Sequence, residues 1–161
     1  MGFADIFDSY FNNLNTDSGF DILYSYLSNN SKDNQLSFDN ENPKYRHSRV
    51  TIETRNDLLC IFISLPIEYE NANEIISVRL RKNDKKAAVS IRRSLNKVFS
   101  GYIDLTAYSI RIEGCDPHCW KTEEYEQYIL DGLLFLESHI KEKVNVSIRD
   151  LGFANLRYYV D

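Results

Sequence analysis

The sequence predicts an α+β fold in which an antiparallel β-meander is accompanied by helices. Near both ends of the chain apolar residues recur every three or four positions, which is the spacing of an amphipathic helix. In the middle of the chain they alternate with polar residues, as in a strand that buries one face. The connections between these alternating segments are too short for the crossover that parallel strands require. We therefore expect one domain, residues 1–161, with a meander at its centre.

A helical pair is expected over residues 1–27. From Phe3 to Leu14 the apolar side chains form one stripe of a helix, with Asp and Asn residues opposite. A second, shorter helix follows N-cap candidates at 16–18, and its apolar residues Phe20, Leu23, Tyr24 and Leu27 repeat the spacing. Residues 28–43 are rich in Asn and poor in apolar residues, so this stretch is expected to be a polar loop.

Residues 44–161 are expected to contain the sheet and one long helix. Asn56-Asp57 and Asn83-Asp84 are turn dipeptides, and each lies between two alternating segments, which predicts two β-hairpins. The predicted strands of the meander are residues 50–55, 58–65, 76–81, 89–91, 98–105 and 108–113.

The long helix is predicted over residues 122–143. Its apolar stripe runs from Tyr125 to Ile140, with glutamates in the first turns and lysines in the last, the order that the helix dipole favours. Two closing strands, 144–149 and 156–160, are predicted from their β-branched and aromatic residues.

Charge is distributed unevenly along the chain, and the net charge of −5 hides this. Residues 1–43 contain seven acids and one base, residues 44–112 contain thirteen bases and seven acids, and residues 113–161 contain ten acids and five bases. If the helices cover one side of the sheet, acids should concentrate on the helical side and bases on the strands.

Composition favours a cytoplasmic protein. The first residues lack the positive region and cleavage site of a secretory signal, and no apolar run is long enough to span a bilayer. Three cysteines are too few and too unevenly spaced for a disulfide framework. The nucleotide-binding, P-loop, zinc-protease and hydrolase motifs do not occur in the sequence, so no cofactor and no catalytic residue are predicted.

One local cluster has the residue types of a reactive site. Cys115, His118 and Cys119 could ligate zinc if His139 or His47 supplied a fourth ligand, but a second Cys/His pair is missing from the sequence. Cys119 with His139 as its base is a possible nucleophile, which keeps a small Cys/His-dependent enzyme as an alternative. The simpler interpretation is a turn before the long helix, and no metal site is predicted.

A second alternative is nucleic-acid binding by the basic hairpin 79–97. Arg79 and Arg81 share one strand face there and could contact phosphates. The acidic pI of about 5.2 is unlike that of most nucleic-acid-binding domains. Lysines that keep a sheet edge from aggregating explain the same residues.

In size, acidity and α+β build the chain resembles bacterial immunity proteins of contact-dependent or polymorphic toxin systems. This resemblance is one of general character and implies a non-enzymatic protein that binds a toxic, nuclease-type domain and occludes its basic active site. An acidic surface near the start of the long helix would suit such a partner, because complementary charge speeds association. The residues predicted to bind it are Asp116, Glu123, Glu124, Glu126 and Asp131.

Overall fold

One antiparallel sheet of seven strands dominates the computed structural model, which describes residues 18–30, 34–42, 47–67, 72–92, 98–106, 109–113 and 122–153. Every strand pairs with the next one along the chain, so the order across the sheet is the order in sequence. This confirms the predicted meander. The strands are Gln35–Asp39 (β1), Arg49–Arg55 (β2), Leu58–Ile67 (β3), Ala72–Arg81 (β4), Lys86–Arg92 (β5), Val98–Asp104 (β6) and Ser109–Glu113 (β7).

Two helices in the described residues, Ser18–Asn30 (α1) and Thr122–Val144 (α2), pack on the same face of the sheet. Helix α1 contacts β1 and β2, α2 contacts β2 and β3, and the two helices contact each other. Leu23 and Leu27 of α1 are fully buried, as the apolar spacing predicts. The predicted stripe of the long helix is likewise buried, at Tyr125, Ile129, Leu133, Leu136 and Ile140.

The core lies between the helices and the inner face of the sheet. Alternate residues of each central strand point into it, because successive side chains of a strand lie on opposite faces. In β5, for example, Ala87, Val89 and Ile91 are buried while Lys86, Ala88 and Arg92 are exposed. No helix in the described ranges has the length and apolarity needed to cross a bilayer.

The β2–β3 hairpin confirms the predicted turn. Asn56 and Asp57 both have positive φ, 47° and 66°. Two successive left-handed residues form the tight turn whose twist matches that of the flanking strands, and Asn and Asp tolerate this conformation better than other non-glycine residues.

The polar loop predicted over residues 28–43 is wrong in two places. Helix α1 continues to Asn30, and β1 occupies Gln35–Asp39. Leu36 and Phe38 of β1 are half-buried against the core, and β1 gains its backbone hydrogen bonds from β2. The register of a strand is specified wherever one of its faces is buried. Leu36 and Phe38 share the inner face, so they are enough to fix the register of β1 against β2.

The strand predicted over 144–149 is also wrong. Asn145 has a φ of 54°, which ends α2 in the left-handed conformation, and the chain then turns. The backbone N–H of Ile148 donates a hydrogen bond to the Glu137 carboxylate at 3.0 Å instead of to a neighbouring strand.

Two other predicted elements fall outside the described residues. They are the first helix of the predicted N-terminal pair, within 3–14, and the last closing strand, 156–160. The described residues therefore contain only the second member of that pair.

Candidate interaction surfaces

The outer face of α2 carries a line of three acidic residues, Glu124, Asp131 and Glu142. They are separated by seven and eleven residues, which are close to two and three helical turns, so they lie within about 20° of one another around the helix axis. Glu142 is exposed, and Glu124 and Asp131 are partly exposed. We call this set the acidic stripe.

The structure separates the acidic residues that the sequence predicted as one surface. Glu124 and Asp131 belong to the acidic stripe. Glu126 follows Glu124 by two residues, which rotates it by about 200° to the other side of α2. Glu123 lies in the first turn of α2, and Asp116 lies outside the described residues. Glu142 was missed, although its helical spacing from Asp131 could have identified it.

Asp131 connects the acidic stripe to a buried histidine. Its carboxylate accepts a hydrogen bond from Gln127 Nε2 at 2.9 Å. His47, which is 2% exposed, packs edge-on against Phe135 with ring centroids 4.9 Å apart. Burial lowers the pKa of His47 below its usual 6.5, and the negative charge of Asp131 opposes that shift more weakly.

We expect folding stability to fall when the pH drops through the range in which His47 becomes protonated. Because burial lowers its pKa in the folded state, His47 binds protons more readily when unfolded, and its contribution is lost below its unfolded pKa of 6.5. One such group changes the unfolding free energy by at most about 1.4 kcal/mol per pH unit.

Urea denaturation between about pH 5 and about pH 7 measures this effect. His47→Phe, which keeps a ring against Phe135, should flatten the pH dependence. His139→Phe serves as the control for replacing a histidine by phenylalanine in the same cluster of rings. If the unfolding free energies of the wild type and of His47→Phe changed equally with pH, the expectation would be contradicted.

The second surface is the face of the sheet opposite to the helices, which we call the open face. Its bases are exposed on four strands, β2, β4, β5 and β7. The pairing register places these residues in rows that cross the strands. One row is Gln35, Glu53, Cys60, Arg79, Ala88, Tyr102 and Arg111, and the next is Ser37, Thr51, Phe62, Ser77, Ser90, Ser100 and Glu113.

Several side chains of the open face contact their cross-strand neighbours. Arg79 Nη2 donates a hydrogen bond to Ser90 Oγ at 3.2 Å, from β4 to β5. The ammonium group of Lys86 lies 4.4 Å from the centroid of the Tyr102 ring, a cation–π contact. These contacts hold long side chains along the surface.

The predicted basic hairpin, 79–97, contributes part of this face. Arg79 and Arg81 of β4 and Arg92 of β5 are exposed on it, while Lys82 in the turn forms an ion pair with Asp21 of α1 at 2.8 Å. Arg111 of β7 lies outside that hairpin and was missed, because only the strand register brings it next to Tyr102.

Three residues of the predicted Cys/His cluster, Cys115, His118 and Cys119, lie outside the described residues. His139 stacks on Phe38 with ring centroids 4.4 Å apart and meets Phe135 edge-on at 4.6 Å. Among the described residues, His, Cys, Asp and Glu side chains do not converge into a group that could hold a metal ion.

Cys60 is buried in β3 and forms no disulfide bond with another described residue. Burial is the main factor that raises the pKa of its thiol, and the neighbouring carboxylate of Glu53 adds to the effect. A thiol with a raised pKa is a poor nucleophile at neutral pH, so Cys60 is best explained as a packing residue.

Comparisons with known proteins identify no relative: no family model, curated protein or solved structure matches this chain.

Proposed function

We propose that this chain is a non-enzymatic protein-binding module. The observation that carries the proposal is the separation of charge between the two sides of the molecule. The acidic stripe follows the outer face of α2, and exposed bases cover the open face of the sheet. Charged surfaces of this kind steer a partner of opposite charge and reject partners of like charge.

The partner that we propose for the acidic stripe is a basic toxin domain of nuclease type, which makes the chain an immunity protein. A nuclease binds phosphates and so has a basic active site. Glu124, Asp131 and Glu142 span about 27 Å along α2, which is enough to lie across such a site and exclude nucleic acid. Neutralisation would then be stoichiometric and reversible.

Charge reversal of the stripe tests this proposal. The candidate toxin to be tested is the product of the adjacent upstream gene, purified and titrated against the chain by calorimetry. Glu124→Lys with Glu142→Lys should weaken binding about 100-fold, because two attractive pairs become repulsive. Asp131 is left unchanged in this variant, so that the packing around His47 is not disturbed.

A matched control reverses two acids elsewhere. Glu41 and Asp84 are exposed and belong to the segment after β1 and to the β4–β5 turn, outside α2, so Glu41→Lys with Asp84→Lys changes the net charge by the same amount. This control should bind almost as tightly as the wild type. Equal losses in the two variants would assign the effect to overall charge, and lack of binding by the wild type would contradict the toxin-inhibitor proposal.

A further inference from the structure

We propose that the open face is a second docking surface, and that its partner is a protein that presents a carboxylate-rich surface. This inference goes beyond the function proposed for the acidic stripe, because it concerns the opposite side of the molecule and a partner of opposite charge. It rests on the charge, shape and size of the open face.

The open face carries more bases than acids. Described side chains of the open face include seven bases and three acids. Two of the acids are paired with bases near the β1 edge, Asp39 with Arg49 at 2.7 Å and Glu53 with Arg55 at 3.3 Å. The exposed bases on the remaining strands are Arg79, Arg81, Lys86, Arg92 and Arg111, against Asp104 on β6 and Glu113, which the register places on β7 opposite Ser100. Arginine binds carboxylates through two parallel hydrogen bonds, so this part of the face complements an acidic surface.

A row of short side chains crosses the middle of the open face. Ser77, Ser90 and Ser100 are directly opposite one another on β4, β5 and β6. With strands about 4.8 Å apart, these three short side chains form a shallow trough about 10 Å long across the sheet. Arg79 and Arg111 lie on one side of the trough and Arg92 on the other. An acidic side chain entering the trough would reach both hydroxyl and guanidinium donors.

The open face is about as large as one side of a protein–protein interface. Seven strands spaced about 4.8 Å apart and about seven residues long define a face of about 29 by 23 Å. Its area of about 700 Å² is close to the roughly 800 Å² that each partner contributes to a stable protein interface. The face extends across all seven strands, whereas small-molecule sites are concave clefts that enclose their ligand. A folded protein surface therefore fits it better than a small ligand does.

A protein partner is favoured over nucleic acid by the aromatic residues of the face. Proteins that bind single strands offer uncovered aromatic rings on which bases stack. Here the ammonium group of Lys86 lies over the Tyr102 ring, and Phe62 is half-buried between neighbouring strands. Neither ring therefore offers an uncovered face on which a base could stack, while the arginines of the face remain exposed.

The test uses the full chain and two probes, a fluorescein-labelled polyglutamate peptide and an oligothymidylate of the same length. Fluorescence anisotropy at low salt should show saturable binding of polyglutamate by the wild type, weakening as salt is added. Arg79→Glu, Arg92→Glu and Arg111→Glu combined should lower that affinity at least about tenfold.

The matched control reverses three exposed bases on the helical side. Lys141→Glu, Lys143→Glu and Arg149→Glu combined change the net charge by the same amount and should bind polyglutamate within about twofold of the wild type. Circular dichroism checks that both triple variants are folded. Perturbation of the Ser77, Ser90 and Ser100 amide resonances by the peptide would place it in the trough.

Three outcomes would overturn the proposal. Tighter binding of oligothymidylate than of polyglutamate would assign the face to nucleic acid. Equal losses in the two triple variants would show that overall charge, and not this face, determines binding. Self-association of the wild type in sedimentation velocity that disappears in the arginine variant would assign the face to a second copy of the chain. None of these results depends on whether a toxin binds the acidic stripe.

Discussion

Gly101→Val is expected to destabilise the protein by at least about 3 kcal/mol, mainly by detaching β7 from the sheet. Gly101 lies in β6 directly opposite Ile112 of β7. A Cβ atom at this position would lie 2.8 Å from the carbonyl carbon of Arg111 and 2.9 Å from the Cα atom of Ile112. Both are backbone atoms, so the contact cannot be relieved by a change of side-chain rotamer. Glycine inside a strand often marks such a close approach of two backbones.

Urea denaturation measures the loss, and hydrogen exchange of the β7 amides locates it. Ser100→Val is the matched control, because it introduces the same side chain one residue earlier, on the open face. Valine favours strands, so the control should remain within about 0.5 kcal/mol of the wild type. A Gly101→Val variant as stable as this control, with β7 amides still protected, would contradict the expectation.

The same change bears on the open face. Arg111 is presented by β7 beside Tyr102, and it keeps that place only while β6 and β7 remain paired. Gly101→Val should therefore weaken polyglutamate binding as well, even though Gly101 lies on the inner side of β6. The fold thus supports the second surface through a residue that does not belong to it.

Local chemistry explains which parts of the fold could be predicted. The Asn56-Asp57 turn and the apolar stripe from Tyr125 to Ile140 are each determined by residues that are close together in the sequence, and both predictions are confirmed. Strand β1 was missed because its only apolar residues are Leu36 and Phe38, and its pairing with β2 is not visible in the segment itself.

The region after α2 shows how a correct pattern can predict the wrong element. Val146 and Ile148 are buried, as alternation implies, but they are buried by a turn. The left-handed Asn145 and the acceptor supplied by Glu137 replace the strand partner that alternation assumes. Burial at alternate positions is necessary for a half-buried strand and does not by itself establish one.

The two candidate surfaces differ in the same way. Helical spacing alone aligns Glu124, Asp131 and Glu142, so the acidic stripe was accessible from the sequence. The rows of the open face combine residues from all seven strands, and a one-residue change of register would move each strand's bases to the other face. Arg79 and Arg111 become members of one row only when all the intervening registers are known.

The second large effect is expected where α2 crosses β3. Gly132 lies in the middle of α2, where glycine costs about 1 kcal/mol relative to alanine. A Cβ atom there would lie 2.5 Å from Ile63 Cδ1 and 2.8 Å from Ile63 Cγ1. Glycine therefore lets the helix approach the fully buried Ile63 closely, and the packing gained offsets its poor helix propensity.

Gly132→Val should cost about 3 kcal/mol through overpacking, and Ile63→Ala about 3 kcal/mol through the cavity it leaves. The double variant moves three carbon atoms from the strand to the helix and keeps the core volume. We expect the unfolding free energy of the double variant to fall by only about 3 kcal/mol, whereas independent effects of the two substitutions would add to about 6 kcal/mol. Urea denaturation of the four proteins in this cycle measures the coupling.

Ile91→Ala combined with Gly132→Val is the control for the cycle. Ile91 is equally buried but lies on β5, two strands away from β3, so its losses should add to those of Gly132→Val. Additive losses in the Ile63 cycle would show that α2 does not rest on Ile63. Coupling confined to Ile63 would show that one glycine sets the height of α2 above the sheet. It would follow that the position of the acidic stripe depends on a packing contact on the opposite side of the same helix.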